Sequence, residues 1–267
     1  ELTIIITGFM VCSISISTLN SSLFMQVRGD KMSTGIVLMS RAPIPRRTKT
    51  RLETHLQPEE CARLHKAFLQ DISQMLVQLA ANRGKLNLYL TYTPAGTEDM
   101  FTELVPDVFT FFPQEGTDLG SKMYNALARA SEENEQQLII GSDLPTLQPA
   151  VVAEAVDKLQ TSEVVVGPSQ DGGYYLLGTK KPRSFLFSDI VWGQNDVLRA
   201  TIEAVKEHNL TYETVASWAD IDVYPELIAL AEQLSTQETW EFFPEATAQT
   251  VKQILPPEDI NKEEEQQ

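Results

Sequence analysis

The amino-acid sequence predicts an α/β fold, with a doubly wound, mostly parallel sheet in a single domain. Short runs of large aliphatic residues alternate with longer segments of helical spacing, the pattern of strands joined by crossover helices. The runs at 35–40 and Leu138–Ile140 lack polar alternation, which indicates strands buried on both faces. A chain of 267 residues is long enough to bury one large core of this kind.

The alternation continues along most of the chain. Strands are expected at 35–40, 86–92, 108–112, 138–140 and 164–168, after the turn within 171–178, and at 211–215. Helices are expected at 58–82, after the turn at 114–123 to about 133, and at 146–160, 194–208, 225–233 and 246–255. In the helix at 146–160, Thr146 is placed to cap the first turn and Pro149 to lie within it.

Composition divides the chain into three parts. Residues 1–31 are expected to be a non-native or disordered leader, because Leu2–Val27 contains no charged side chain. A weak membrane-associating segment is the alternative, although Ser, Thr and Asn interrupt the apolar stretches too often for a membrane anchor. Residues 32–235 hold the α/β pattern, and 236–267 are expected to form an acidic, partly disordered extension.

Charge and composition exclude several kinds of partner and site. The formal net charge of -16 at pH 7 argues against binding to nucleic acid, whose phosphates need clustered Lys and Arg. Cys12 and Cys61 have no disulfide or metal-ligand spacing, which fits a reducing, cytoplasmic compartment. The histidines His55, His65 and His208 are scattered, so a histidine metal site is not expected.

The most informative stretch is Gly141–Pro145, which follows the buried run Leu138–Ile140 directly. Asp143 is therefore placed at the carboxyl end of a central parallel strand, where open α/β sheets bind ligands. Its carboxylate is a candidate ligand of a divalent metal ion, which takes one or two protein carboxylates together with water and phosphate oxygens. Asp220 and Asp222 are candidates for a second ligand. The alternative is that these carboxylates cap the helices that follow them.

A basic loop after the first strand is the second signal. Five basic side chains fall within 41–51 of a chain that is strongly acidic elsewhere. Two prolines restrict the shape of the loop, and it is too poor in glycine for a Walker or dinucleotide loop. Its side chains are expected to hold a diphosphate by charge-assisted hydrogen bonds, with a solvated basic turn as the alternative. They are Arg41, Arg46, Arg47, Lys49 and Arg51.

Two further turns add candidate ligand contacts. Asp171 precedes Gly172 and Gly173, which permit close approach of the backbone to a ligand; the alternative is a plain hairpin turn. Asp118 is placed to receive ribose hydroxyls or to cap the next helix. The chain has no Gly-x-Ser-x-Gly segment, so serine-hydrolase chemistry has no support.

Several motifs therefore occur in a defined order. They are Arg41-Ala42-Pro43-Ile44-Pro45 with Lys49–Leu52, Asp118-Leu119-Gly120 with Met123, Gly141–Pro145, Gly167-Pro168 with Asp171–Leu176, and Asp220-Ile221-Asp222. The set, spanning residues 34–234, resembles the selenodomain-associated or arsenosugar-biosynthesis-type glycosyltransferases, a bacterial family formerly described as a domain of unknown function. The resemblance implies a GT-A-like, nucleotide-diphospho-sugar transferase fold, related to the molybdenum-cofactor and phospholactate guanylyltransferases. It also implies that the first basic loop meets nucleotide phosphates and that Asp143 binds Mg²⁺ or Mn²⁺.

The chain departs from that family pattern at two places. Arg46 stands where the family usually has glycine after the second proline, and it is expected to crowd the approach of phosphate. Trp192-Gly193-Gln194 stands where the family usually has Trp-Ser-Thr, and the lost hydroxyls are expected to alter acceptor choice or weaken activity.

The function predicted from these residues is that of a metal-dependent transferase with a nucleotide-activated donor and a small-molecule acceptor, a glycosyltransferase in the first instance. A nucleotidylyltransferase of the guanylyltransferase kind, using a nucleoside triphosphate, is one alternative. A catalytically silent nucleotide-binding protein is another. The general base is expected to be Asp171 or Asp222. Nucleotide and phosphate contacts are expected from Arg41, Lys49, Arg51, Asp118, Gly120, Gly172 and Gly173.

Overall fold

Seven strands form one sheet in the computed structural model, which describes residues 32–193, 196–236 and 239–255. The strands are β1 Thr34–Arg41, β2 Leu86–Thr93, β3 Thr110–Pro113, β4 Gln136–Gly141, β5 Val164–Pro168, β6 Tyr174–Thr179 and β7 Tyr212–Thr214. Across the sheet they lie in the order β3-β2-β1-β4-β6-β5-β7. The order reverses between β1 and β4, two adjacent strands in the interior of the sheet.

The sheet is mostly parallel, with one reversed strand. β1, β2, β3 and β4 run in the same direction, and β7 runs parallel to β5. β6 is antiparallel to both of its neighbours, β4 and β5. The short turn at 169–173 accounts for this, because a parallel connection needs a crossover of a dozen or more residues. The predicted α/β fold with a mostly parallel sheet is confirmed.

Seven α-helices are described besides the short 3₁₀ helices at Thr50–Thr54 and Ser184–Leu186. They are α1 Pro58–Arg83, α2 Asp99–Thr102, α3 Leu119–Ala130, α4 Pro149–Thr161, α5 Val197–Glu207, α6 Tyr224–Ser235 and α7 Glu245–Ile254. None of the helices in these described ranges is long and apolar enough to cross a membrane.

The core has a layer on each face of the sheet because alternate strand residues point in opposite directions. Ile36 and Leu38 of β1 pack in one cluster with residues of α1 and α4. Val37, between them in sequence, packs in another cluster with residues of α3 and α5. The uninterrupted apolar run of β1 is therefore explained by burial on both sides.

Several local predictions were wrong. Thr146 does not cap a helix: α4 begins at Pro149 with Gln148 before it, and the Thr146 hydroxyl accepts a hydrogen bond from the indole of Trp218 at 3.0 Å. The third strand begins at Thr110 rather than at 108, because a turn from Pro106 precedes it. The short helix α2 was not predicted, and its four residues are too few to show a helical period.

The helix expected at 246–255 is present as α7, and it packs against α1. The Asp71 carboxylate on α1 accepts hydrogen bonds from the backbone N–H groups of Ala246 at 3.1 Å and Thr247 at 2.7 Å. A carboxylate at this position satisfies otherwise free donors in the first turn of the helix. The predictions for 1–31 and 256–267 concern segments outside the described residues.

Candidate functional site

A cleft of about 450 Å³ lies at the carboxyl edge of the parallel strands. The register of β1 and β4 pairs Met39 with Gly141, so Arg41 and Asp143 leave the sheet at the same edge. Such an edge, next to the point where the strand order reverses, is where open α/β sheets bind ligands. The polar side chains that line it include Arg41, Gln114, Lys122, Asp143, Tyr174 and Asp220.

The basic loop and the carboxylate after β4 meet through Lys49. Its Nζ atom lies 2.8 Å from Asp143 Oδ1 and 3.0 Å from Asp222 Oδ1, and it donates a hydrogen bond to the Ile221 carbonyl at 2.6 Å. The side chain is only 3% exposed. The ammonium group donates hydrogen bonds to the Ile221 carbonyl and Asp222 and forms an ion pair with Asp143, so three protein oxygens surround it. Lys49 is therefore not available to hold phosphate in this arrangement, which differs from its predicted role.

The pKa of the Lys49 ammonium depends on both its burial and its two carboxylate neighbours. Burial lowers the pKa of Lys49, but the neighbouring Asp143 and Asp222 carboxylates raise it further, so the net pKa is raised. Lys49 is accordingly a permanent cation beneath the cleft at neutral pH.

Asp143 presents one side of its carboxylate to the cleft. Oδ1 is buried against Lys49, in an ion pair that lacks the alignment of a hydrogen bond, while the side chain as a whole is 39% exposed. Burial raises the pKa of Asp143, but the positive charge of Lys49, with a smaller contribution from Arg41, outweighs burial and holds that pKa below its usual value. The residue does not cap a helix, since α4 begins only at Pro149. Asp143 is thus an ionised carboxylate with an accessible side.

Asp220 faces the same cleft and has no partner for one of its oxygens. Oδ1 of Asp220 is buried without a hydrogen bond. Burial, followed by the negative charges of Asp143 and Asp222, raises the pKa of Asp220 to about 7. Neither Asp220 nor Asp222 caps α6 with its side chain; Glu226 instead accepts hydrogen bonds from the Asp222 and Val223 amides at 2.6 and 2.9 Å. The capping alternative for this pair was wrong.

The other basic residues of the loop take different positions. Arg41 lines the cleft and donates a hydrogen bond through Nη1 to the Arg47 carbonyl at 3.1 Å. The Arg51 side chain is 73% exposed and is not part of the cleft wall. Its Nη1 atom lies 3.7 Å from Asp222 Oδ2. Arg46 is exposed outside the cleft wall and has φ of 65°, the left-handed region that favours glycine. The backbone there explains why glycine would suit this position.

Asp118 and Gly120, two predicted nucleotide contacts at the start of α3, contribute to the capping and packing of that helix. Asp118 lines the cleft but caps α3, with Oδ1 accepting a hydrogen bond from the Ser121 amide at 2.8 Å. Gly120 is buried outside the cleft wall, where an added Cβ would lie 2.7 Å from the Phe187 carbonyl oxygen and 2.8 Å from the Trp192 ring. Its lack of a side chain therefore permits close packing against Phe187 and Trp192.

The Asp171 segment forms the turn between β5 and β6. Asp171 Oδ1 accepts a hydrogen bond from the Gly173 amide at 2.9 Å, and the Ser169 amide donates to the Gly173 carbonyl at 3.0 Å. Gly172 has φ of 87°, which a residue with a side chain rarely adopts. None of Asp171, Gly172 and Gly173 lines the cleft, so the hairpin alternative describes this segment.

Some cleft residues were not predicted from the sequence. Lys122, four positions after Asp118 on α3, supplies a cation, and that helical spacing is the signal that would have found it. Gln114 follows β3, and its Nε2 donates to the Ser40 carbonyl at 2.9 Å. Tyr174 reaches the cleft because the reversed β6 brings its first residue to the carboxyl edge of its neighbours.

His65 lies behind the cleft, on α1, and was also missed. Its ring is 1% exposed and contacts the hydroxyl groups of Ser40, Thr48 and Ser142. Burial lowers the pKa of His65 to about 4, so the ring is neutral at physiological pH.

The sheet and its cleft form an α/β fold of the kind seen in nucleotide-diphospho-sugar transferases and cytidylyltransferases, as the following solved structures show. A family model described as an uncharacterized protein conserved in bacteria (DUF2064) matches residues 76–194. The structure is similar to a putative nucleotide-diphospho-sugar transferase from Desulfovibrio desulfuricans, with 28% identity and a TM-score of 0.73 over 83% of this chain and 98% of that one.

Two more distant structures share the fold. A 4-diphosphocytidyl-2C-methyl-D-erythritol synthase from Anaerococcus prevotii has 8% identity and a TM-score of 0.53, covering 78% of this chain and 100% of that one. A cytidylyltransferase from Leptospira borgpetersenii has 14% identity and a TM-score of 0.52, covering 83% and 94%. No curated protein matches the sequence.

Proposed function

We propose that this protein is a metal-dependent transferase that uses a nucleotide-diphospho-sugar donor and transfers the sugar to a small-molecule acceptor. The observation that supports it most directly is the placement of two carboxylates, Asp143 and Asp220, in the wall of the cleft. The similarity to the Desulfovibrio desulfuricans protein, whose name carries this donor class, adds support.

The two carboxylates fit a divalent cation of the Mg²⁺ or Mn²⁺ type. Asp143 offers the accessible side of an ionised group, and Asp220 has a buried oxygen with no hydrogen-bond donor. Burial and then the negative charge of Asp143 raise the pKa of Asp220, and a cation between the two carboxylates would relieve the repulsion that contributes to this shift. Within the described ranges no cluster of three or more His, Cys, Asp and Glu residues could hold a metal ion. Two carboxylates suffice when phosphate oxygens and water complete the coordination.

The cations that line the cleft are suited to the phosphates of the donor. Arg41 and Lys122 both lie in the wall, and Arg41 offers a planar fork for charge-assisted hydrogen bonds. In this proposal Lys122 replaces Lys49 and Arg51 as a phosphate contact. Lys49 instead contacts Asp143 and Asp222 and, by its charge, lowers the pKa of Asp143.

The chemistry available to these residues is positioning and charge stabilisation. A bound divalent cation supplies Lewis-acid stabilisation of the leaving nucleoside diphosphate. Arg41 and Lys122 would orient the diphosphate and share its developing charge. Asp222, one of the two predicted bases, is occupied by Lys49, and Asp171 belongs to the hairpin turn, so neither is assigned proton transfer.

Isothermal titration calorimetry with nucleoside diphosphates and nucleotide sugars, with and without Mn²⁺, tests the proposal. Asp143→Asn should weaken Mn²⁺-dependent nucleotide binding by at least about 10-fold. Mutating a residue that only supports a metal ligand already has an effect of this size. Asp107→Asn, the same charge change at an exposed position outside the cleft wall, is the matched control and should bind as the wild type does. Unchanged binding in Asp143→Asn would remove this carboxylate from the site.

Product analysis decides the type of transfer. Release of a nucleoside diphosphate supports sugar transfer, whereas release of pyrophosphate from a nucleoside triphosphate supports the nucleotidylyltransferase alternative. Nucleotide binding without turnover of any donor would support a catalytically silent binding protein.

A further inference from the structure

We propose that His65 is a positioning residue that fixes the three charged segments of the cleft relative to one another through hydrogen bonds to their hydroxyl groups. This inference rests on the proposed function for its consequence, but its geometry belongs to the fold. His65 is carried by α1, which packs on the face of the sheet away from α3. The ring does not line the cleft, but it contacts residues that do: Ser40 and Ser142, with Asp143 Oδ1 3.9 Å from Nε2.

Both nitrogens of the buried ring are engaged. Nε2 lies 3.2 Å from Ser40 Oγ and 3.2 Å from Ser142 Oγ. Nδ1 lies 2.5 Å from Thr48 Oγ1. A histidine held on both sides in a site that excludes water has a fixed ring orientation.

The directions of the hydrogen bonds follow from the serine hydroxyls. Ser40 Oγ donates to the Arg41 carbonyl at 3.0 Å, and Ser142 Oγ donates to Ser40 Oγ at 3.0 Å. Since both serine protons are used, the serine oxygens are left as acceptors for an Nε2–H group. Nδ1 then accepts from the hydroxyl of Thr48. The neutral tautomer with its proton on Nε2 satisfies every member of the network.

Each hydroxyl residue held by the ring directly precedes a charged residue of the site. Ser40 precedes Arg41 at the end of β1, Thr48 precedes Lys49 in the basic loop, and Ser142 precedes Asp143 after β4. The ring therefore connects three segments that are distant in sequence. It also sets the approach of Lys49 to Asp143, which stand 2.8 Å apart.

Three substitutions separate the two sides of the ring. His65→Gln places an amide N–H near the position of Nε2 and retains the serine side; His65→Asn places an acceptor near Nδ1 and retains the threonine side. His65→Leu removes both sides but keeps an apolar side chain of similar size. Ser73→Ala is the control, because Ser73 is also buried on α1 and its hydroxyl bonds only the Gln70 carbonyl of the same helix.

The first readout is affinity for a nucleoside diphosphate in the presence of Mn²⁺. The affinity of His65→Leu should be about 10- to 100-fold lower than that of the wild type, the loss that is typical when a residue supporting a metal ligand is mutated. His65→Gln should recover part of that loss, because it restores the donor to Ser142, and Ser73→Ala should lose none. Thermal unfolding of each variant identifies those that are not folded. Equal affinity in folded His65→Leu and wild-type protein, or equal losses in His65→Leu and His65→Gln, would overturn the positioning role.

The second readout does not depend on nucleotide binding. A long-range ¹H–¹⁵N correlation spectrum at pH 7 should show the His65 ring neutral, with its proton on Nε2. A ring protonated on Nδ1, or on both nitrogens, would overturn the positioning role whatever the binding data show. A wild-type protein with the expected tautomer that binds no nucleotide would instead overturn the proposed function.

Discussion

The strained backbone at Arg46 offers a quantitative test of the loop geometry. A residue with a side chain in the left-handed region costs about 1–2 kcal/mol relative to the right-handed one, and Arg46 has φ of 65°. Arg46→Gly removes that strain, but glycine also loses about 0.5–1 kcal/mol more through chain entropy on folding. We therefore expect Arg46→Gly to raise the free energy of unfolding by about 0.5–1 kcal/mol.

The neighbouring residue supplies the control. Arg47 is also exposed, and its φ is not positive, so Arg47→Gly deletes the same atoms and the same charge but relieves no strain. The entropy cost is shared, so urea unfolding should show Arg46→Gly more stable than Arg47→Gly by about 1–2 kcal/mol, the strain itself. For a domain of this size each kcal/mol corresponds to about 2–4 °C in melting temperature. Equal midpoints for the two variants would refute the strain at Arg46.

Two further substitutions test the buried contacts around the cleft. Lys49→Met should lower the free energy of unfolding by about 2 kcal/mol, less than the 3–5 kcal/mol typical of a broken buried pair, because its two carboxylate partners are 39% and 41% exposed and can be hydrated. Gly120→Ala should destabilise by about 1–3 kcal/mol through overpacking, and the displaced ring of Trp192 should change its fluorescence.

Each of these has a control in the same region. Arg51→Met removes a cation that is 73% exposed and 3.7 Å from its carboxylate, so urea unfolding should change by less than about 0.5 kcal/mol. At Gly141 the nearest atom to an added Cβ is 3.9 Å away, so Gly141→Ala should cost less than Gly120→Ala. If Lys49→Met behaves as Arg51→Met does, the buried ion pair does not stabilise the fold.

The position of Asp143 was predictable because it depends on local pattern alone. The apolar run before it can only be a strand buried on both faces, and the carboxyl ends of parallel strands share one edge. The same reasoning placed Arg41 at that edge, and it is the last residue of β1. Both residues do line the cleft.

The direction of a long side chain was not predictable in the same way. Lys49 turns inward because Asp143 and Asp222, distant in sequence, offer it oxygens that compensate for burial. His65 lies within the apolar stripe of α1, where nothing local distinguishes a core residue from the centre of a hydrogen-bond network. Asp171 was ambiguous for a different reason, since Asp-Gly-Gly suits a hairpin and a ligand loop equally.

The packing of α7 has a consequence for any shortened form of the protein. Val251 and Ile254 cover part of the same apolar cluster that includes Leu64 and Phe68, the neighbours of His65 along α1. Cutting the chain after residue 235 would bare those side chains to water while leaving every cleft residue in the polypeptide. Weak nucleotide binding by such a truncated protein would therefore indicate that α1 is less firmly packed, and not that a ligand contact is missing.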